Sequence, residues 1–266
     1  MDSARHEPRP EPEPQVTHTV ADGVATVVIS NPAKRNAMTA GMWRAVPRLL
    51  ERLAGDPEVR ALVLTGAGPT FCAGADISSL REPSAGPDDS PQALAVRAEE
   101  ALAAFPKPTL AAVRGHCVGG GWQLAGACDL RFTETDALFG VTPAKLGIVY
   151  PASSTRRLVS LVGPSAAKYL LFSGELIEAD RALRTGLVDE ALPAGELGKR
   201  VAEFTRILGS RSQLTQAAAK EFAAGRTDRD AYWSERAAEQ ARPGGDTAEG
   251  VAAFLERRTA RFTWSV

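Results

Sequence analysis

Cysteine, net charge and long apolar runs are all scarce in this chain, and each shortage closes off a class of protein. Only three cysteines occur, Cys72, Cys117 and Cys128. They have neither metal-ligand spacing nor the even count of a disulfide framework. No metal site is therefore expected, and a reducing, cytoplasmic setting fits. Lys plus Arg total 31 against 32 Asp plus Glu, a formal net charge of −1. So balanced a chain is not built around nucleic acid. No apolar run approaches a membrane span, and the first residues lack the charged-then-apolar order of a secretory signal. What is present is a 266-residue chain, 44% hydrophobic. That is enough for a sizeable core in one large domain or two small ones.

Residues 1–15 are rich in Pro, Glu and Arg without apolar periodicity, and are expected to form a disordered tail. Residues 16–30 alternate around Asp22-Gly23, a hairpin signal that sets Ala25, Val27 and Ile29 on one face. Thr39 is a candidate N-cap for a helix over 39–53, and the continuous apolar run 59–65 reads as a buried strand of parallel-sheet type. Residues 77–91, rich in Ser, Pro, Gly and Asp, are expected to be mobile. A helix over 92–105 and strands near 109–113 and 130–132 follow. Helices are then expected over 165–172, 179–185, 195–208, 212–224, 228–240 and 247–258. Strands alternating with helices early and helices alone late imply an α/β core with a helical C-terminal region.

Two stretches carry chemical promise. Gly119-Gly120-Gly121 follows the 109–113 strand and opens a small-residue helix. Amides at a helix start lack partners inside the helix, and the dipole adds partial positive charge. The Gly120 N–H can thus bind a carbonyl oxygen that becomes negative during reaction. Equally, the glycines can serve as a tight turn that lets the helix pack. Phe71-Cys72-Ala73-Gly74-Ala75-Asp76 supplies a second site of close backbone approach. Two donors on one oxygen make the simplest oxyanion hole.

These stretches belong to a longer series: Asn31-Pro32 with Asn36-Ala37-Met38, the Phe71 stretch, the glycine triplet, Cys128-Asp129, Phe139-Gly140, Leu146-Gly147, Ala182 with Gly186-Leu187-Val188, and Glu249-Gly250 with Phe254-Leu255-Glu256-Arg257-Arg258. In this order they resemble the crotonase, or enoyl-CoA hydratase/isomerase, family over residues 16–262. The resemblance implies an α/β crotonase (ClpP/crotonase-like) fold of stacked ββα turns over 16–195. A helical oligomerisation region over 196–266 would assemble a homotrimer or a dimer of trimers. It implies acyl-CoA thioester substrates, with coenzyme A carried on the substrate and no separate cofactor. By position, the Ala75 and Gly120 amides would hold the thioester oxygen. Lys34, Arg35 and Ala37, with Ala73, would lie along the CoA, and Phe254 and Arg257 would reach a neighbouring subunit's CoA. Lys34 and Arg35 read equally well as a solvated loop pair.

The chain departs from the family where hydratases place two glutamates. Gln123 stands at the first position and Pro143 at the second. A Gln amide is neither acid nor base at neutral pH, and proline has no acid or base. Losing such a group costs a factor of about 10² to 10⁴. The segment Thr142-Pro143-Ala144-Lys145-Leu146-Gly147-Ile148-Val149-Tyr150 resembles the methylmalonyl-CoA decarboxylase branch, whose matching Thr and Tyr line the acyl pocket. That branch keeps a Glu where this chain has Gln123. The expectation is an acyl-CoA lyase that decarboxylates a malonyl-type thioester, with Ala75, Gly120, Gln123, Thr142 and Tyr150 at its site. Hydratase or isomerase chemistry through another acid, and acyl-CoA binding without turnover, are the alternatives. Thr142 also reads as an N-cap and Tyr150 as a core aromatic. Asp76 reads as a loop tie, Asp129 as structural, and His116 as a buried, satisfied histidine. Cys117 and Cys128 read as small core residues, Glu82, Asp88 and Asp89 as solvated loop acids, and Trp122 as either acyl-pocket wall or core.

Overall fold

The computed structural model describes residues 13–78 and 86–265. Strands β1 (Gln15–Ala21) and β2 (Val24–Ser30) pair antiparallel about Asp22 and Gly23, both at positive φ. Gln15, expected in the tail, instead opens β1 and pairs with Ser30. The rest of the expected tail, up to residue 12, lies outside the described residues. Ala25, Val27 and Ile29 are buried and their neighbours are not, as the alternation requires.

Helix α1 (Ala40–Ala54) starts where Thr39 caps it, its hydroxyl accepting from Met42 N at 3.3 Å. It buries Met42, Trp43, Val46, Leu49, Leu50 and Leu53, one stripe at helical spacing. Then come β3 (Ala61–Gly66), α2 (Pro91–Ala103), β4 (Thr109–Val113), β5 (His116–Val118), α3 (Gly120–Ala127), β6 (Leu130–Glu134) and β7 (Leu138–Gly140). After these run α4 (Ala152–Ser173), β8 (Ile177–Glu178), α5 (Ala179–Thr185), β9 (Glu190–Leu192) and four further helices, α6 (Leu197–Gly209), α7 (Gln213–Ala223), α8 (Asp230–Gln240) and α9 (Asp246–Leu255).

One sheet runs β1-β2-β3-β4-β6-β9, parallel from β2 onward. A small sheet, β5-β7-β8, stands beside it. The continuous apolar runs of β3 and β4 are explained by burial on both faces. Leu62, Leu64, Ala111 and Val113 join the main core under α1, α2 and α3. Their neighbours Val63, Leu110 and Ala112 pack on the opposite face with Phe132 and with Leu197 of α6. Helices α7 and α8 share a separate small core of Leu214, Ala217 and Trp233.

The sequence expectation for 165–172 found only half of α4. The helix runs from 152 to 173 and kinks at Gly163 (φ 75°), immediately before Pro164. A glycine can hold that backbone angle, and Pro164 restarts the helix after it. The preceding half is rich in Ser and Thr and buries only Ser154 and Leu158, so it carries no clear apolar stripe. Among the described residues no helix is long and apolar enough to cross a membrane.

Candidate active site

The site forms where residues 71–76 are clamped between two edges. On one side Cys72 N–H donates to His116 O (2.9 Å) and Val118 N–H to Cys72 O (3.1 Å), tying the segment to β5. On the other side Met38 N–H donates to Gly74 O (2.8 Å) and Asp76 N–H to Met38 O (2.9 Å). Successive amides of an extended segment point opposite ways. With the Asp76 amide turned to Met38, the Ala75 amide faces away, toward α3. A Cβ built on Gly120 would lie 3.3 Å from Ala75 N and 2.9 Å from the Trp43 ring. The first amides of α3 and the Ala75 amide therefore meet across a gap with no room for a side chain. Two glycines make this junction possible. Gly119 adopts φ 54°, ψ −110°, and a Cβ on Gly121 would lie 2.2 Å from Cys72 O.

A cleft of about 520 Å³ opens over this junction. Arg35, Ala73, Gly74, Ala75, Gly119, Gly120, Gln123, Thr142, Pro143 and Tyr150 all line it, so seven of the eleven residues expected at the site converge there. Lys34, Ala37, Phe254 and Arg257 do not line it. Lys34 Nζ instead holds Asp76 (2.8 and 3.0 Å) and Ser78 Oγ (2.9 Å), and Ala37 is buried beside it. Phe254 is 83% exposed at the end of α9. The loop itself is stapled by amides. Asn36 donates to Ala67 O and Thr70 O and accepts from Asn31 N, while Asn31 donates to Ala37 O. The staple puts Arg35 and Asn36 at positive φ and turns the Arg35 carbonyl to accept from Ala73 N at 3.0 Å.

Among the described residues lining the cleft no aspartate or glutamate occurs; the titratable side chains there are Arg35, His116, Lys145 and Tyr150. His116 was expected to be buried, but it is only half-buried, because it stands at the start of β5 with its neighbour Cys117 facing the core. Thr142 precedes a 3-10 turn, Pro143–Leu146, without capping it through its side chain. Its hydroxyl instead sits near Gly119, 3.7 Å from where a Cβ would stand there. The Tyr150 hydroxyl donates to Gly119 O at 3.4 Å. Burial, reinforced by the negative charge of Glu99, pushes this phenol well above its ordinary range, so it stays protonated. Trp122 is a core residue: it is buried, and it packs over Gly126 rather than against the cleft.

Gln123 brings in a residue absent from the sequence reading. Its Nε2 donates to Glu99 Oε2 at 2.8 Å. Glu99 projects from α2, is fully buried, and also receives the hydroxyl of Ser154 (2.5 Å) and the guanidinium of Arg157. The signal was in the sequence: Glu99 falls on the Ala95, Ala98, Leu102 stripe of its helix, where a carboxylate has no reason to be without a partner.

The remaining acids and thiols serve structure. Burial works to raise Asp76, but Lys34 and Ser78 outweigh it and hold the carboxyl below its usual range. Asp129 accepts from Thr109 N (2.7 Å) and Lys220 Nζ (2.9 Å), and Asp89 pairs with Arg44. Asp88 is exposed, and Glu82 lies outside the described residues, as do residues 79–85 of the segment expected to be mobile. Cys72, Cys117 and Cys128 are buried free thiols. Burial pushes Cys72 and Cys128 up to about 12, and Cys117 well above its ordinary value.

The sequence profile of the enoyl-CoA hydratase/isomerase family matches residues 19–264. The chain belongs to that family. Its sequence is 35% identical over 244 residues to a crotonyl-CoA hydratase of Syntrophomonas wolfei, covering 90% of this chain and 94% of that one. It is 34% identical over 206 residues to a hydroxycinnamoyl-CoA hydratase-lyase of Pseudomonas fluorescens, covering 76% and 75%. A crystal structure of an enoyl-CoA hydratase/isomerase family member superposes with a TM-score of 0.86 at 40% identity, covering 96% of this chain and all of that one. The α/β architecture described above is thus the crotonase fold. Within the family this chain has Gln123 and Pro143 in its cleft.

Proposed function

We propose that this family member decarboxylates a malonyl-type acyl-CoA, holding the thioester oxygen between the Ala75 and Gly120 amides. The observation that carries the reading is the pairing of those two amides with a cleft wall free of aspartate and glutamate among the described residues. Decarboxylation needs no base to begin. The bond from the α-carbon to the carboxylate breaks, carbon dioxide leaves, and the electron pair moves into the thioester carbonyl. Two amide donors stabilise the resulting enolate oxygen, in a site where removing one such donor costs about 10²–10³ in rate. A proton from water then returns to the α-carbon. Thr142, Tyr150 and Gln123 shape the acyl end, and Arg35 and Lys145 supply positive charge near an anionic substrate. The reaction requires no cofactor beyond the coenzyme A of the substrate.

A second reading is hydration of an enoyl-CoA. It is favoured by relatives named as hydratases, and His116 is the titratable group at the cleft nearest in kind to a base. Mass spectrometry of products from methylmalonyl-CoA and from crotonyl-CoA separates the two. Loss of carbon dioxide from the first alone supports decarboxylation; addition of water to the second replaces it with hydration. CoA binding without either product makes the protein an acyl-CoA binder.

The assembly we propose is a homotrimer or a dimer of trimers. Its support is the apolar face left exposed at the end of α9, where Val251, Phe254 and Leu255 are 57%, 83% and 75% exposed. In that assembly Phe254 and Arg257 would approach a neighbouring cleft.

A further inference from the structure

We infer that Glu99 is a positioning residue that locks the Gln123 amide at the cleft wall, with its nitrogen turned inward and its oxygen left for the acyl group. The inference rests on reading the cleft as an acyl-CoA site. A glutamine side chain at a cleft wall ordinarily has a soft terminal torsion, and its amide presents either end to a ligand. Here the choice is made chemically. Glu99 Oε2 accepts from Gln123 Nε2 at 2.8 Å. A carboxylate paired with a guanidinium only accepts hydrogen bonds, so the atom facing it must be the NH2 group.

Glu99 is itself immobilised. Arg157 holds Oε1, and the Ser154 hydroxyl, at 2.5 Å, holds Oε2. Three elements therefore converge on one amide: α2 supplies the carboxylate, α4 supplies its donors, and α3 supplies Gln123. Glu99 is fully buried and lies behind the cleft wall, so it touches no ligand and acts through Gln123. Gln123 Oε1 has no hydrogen-bond partner among the described residues, and the side chain borders the cleft. The wall at this point thus offers a fixed acceptor. It favours an O–H or N–H at that point, such as that of a bound water or a hydroxylated acyl chain, and turns a substrate carboxylate away from it toward Arg35 and Lys145.

The test is a double-mutant cycle on ligand binding, which needs no turnover. 3-Hydroxybutyryl-CoA, whose hydroxyl can donate to Gln123 Oε1, is titrated into the intact protein by calorimetry, and free CoA is titrated in parallel. Glu99→Ala and Gln123→Ala are each expected to weaken 3-hydroxybutyryl-CoA binding several-fold by the same factor, with CoA affinity unchanged. The double variant is expected to lose no more than either single one. Arg157→Lys controls for packing, since it perturbs the fold near Glu99 without removing the Glu99–Gln123 contact. It is expected to lower the melting temperature and leave 3-hydroxybutyryl-CoA affinity intact. Losses that multiply in the double variant, or an Arg157→Lys affinity matching that of Glu99→Ala, overturn the inference. Should Glu99→Ala fail to fold, Glu99→Gln keeps an acceptor oxygen for Gln123 and is expected to bind within about twofold of wild type; a full loss overturns the inference. A wild-type protein that binds 3-hydroxybutyryl-CoA but releases no carbon dioxide from methylmalonyl-CoA counts against the proposed function, while the cycle still decides the role of Glu99.

Discussion

Gly120 matters for what it lacks. A methyl group there would stand 2.9 Å from the Trp43 ring and 3.3 Å from Ala75 N, inside the space proposed for the thioester oxygen. Gly120→Ala is expected to lower turnover by about 10²–10³, with CoA affinity and the circular dichroism spectrum retained. The thiols make the opposite case of residues kept from chemistry. In the folded protein Cys72 and Cys128 titrate near 12 rather than at their ordinary 9.0 because they are buried. Native protein at pH 8 is therefore expected to resist iodoacetamide, and urea-unfolded protein to take up three equivalents, as read by intact mass. A raised acid pKa means the folded state holds the proton longer, so stability from these thiols is whole below about pH 9. It falls as pH rises toward 12. At this scale the sequence was readable where a residue's place follows from its own backbone or shape, as with Ala75, Gly120 and Pro143, which the fold sets at the cleft. Glu99 escaped because its meaning depends on Gln123, Ser154 and Arg157, which only the fold brings to it.

Among the elements, those with one clean apolar stripe or alternation were legible to within a residue or two. α5 runs over 179–185 as its spacing requires, and β4 over 109–113. Strands β5, β7, β8 and β9 were not, since two or three residues are too few to show a period. Yet β5 is the strand that aligns the 71–76 segment with α3, so the shortest elements position the site. Helix α4 shows how a local exception hides an element. Gly163 sits at φ 75° with open space around it. Gly163→Ala therefore meets no clash and tests backbone strain alone. It is expected to cost about 1–3 kcal/mol, measured by urea unfolding. Because α4 carries Ser154 and Arg157, the same variant is expected to loosen the grip on Glu99.

For the molecule as a whole, the large core under α1, α2 and α3 is self-contained, whereas the end of α9 is unfinished. Phe254→Glu sets a charge in the middle of that exposed apolar face. It is expected to shift sedimentation velocity toward the monomer, with the far-ultraviolet spectrum unchanged; an unaltered sedimentation coefficient places the assembly interface elsewhere. The architecture of parallel strands and covering helices was readable from the alternation of periodicities, but which faces stay open was not, because an apolar residue looks the same in sequence whether its partner is in the same chain or another. The two donors that face the cleft at its centre are peptide N–H groups, held in place by other peptide groups of Met38, Cys72 and His116. A codon change at Ala75 alters a methyl group, yet every replacement except proline keeps the N–H. At Gly120 every replacement adds a Cβ for which the gap has no room, so under the proposed reading one donor of the pair tolerates mutation generation after generation while the other is held to glycine.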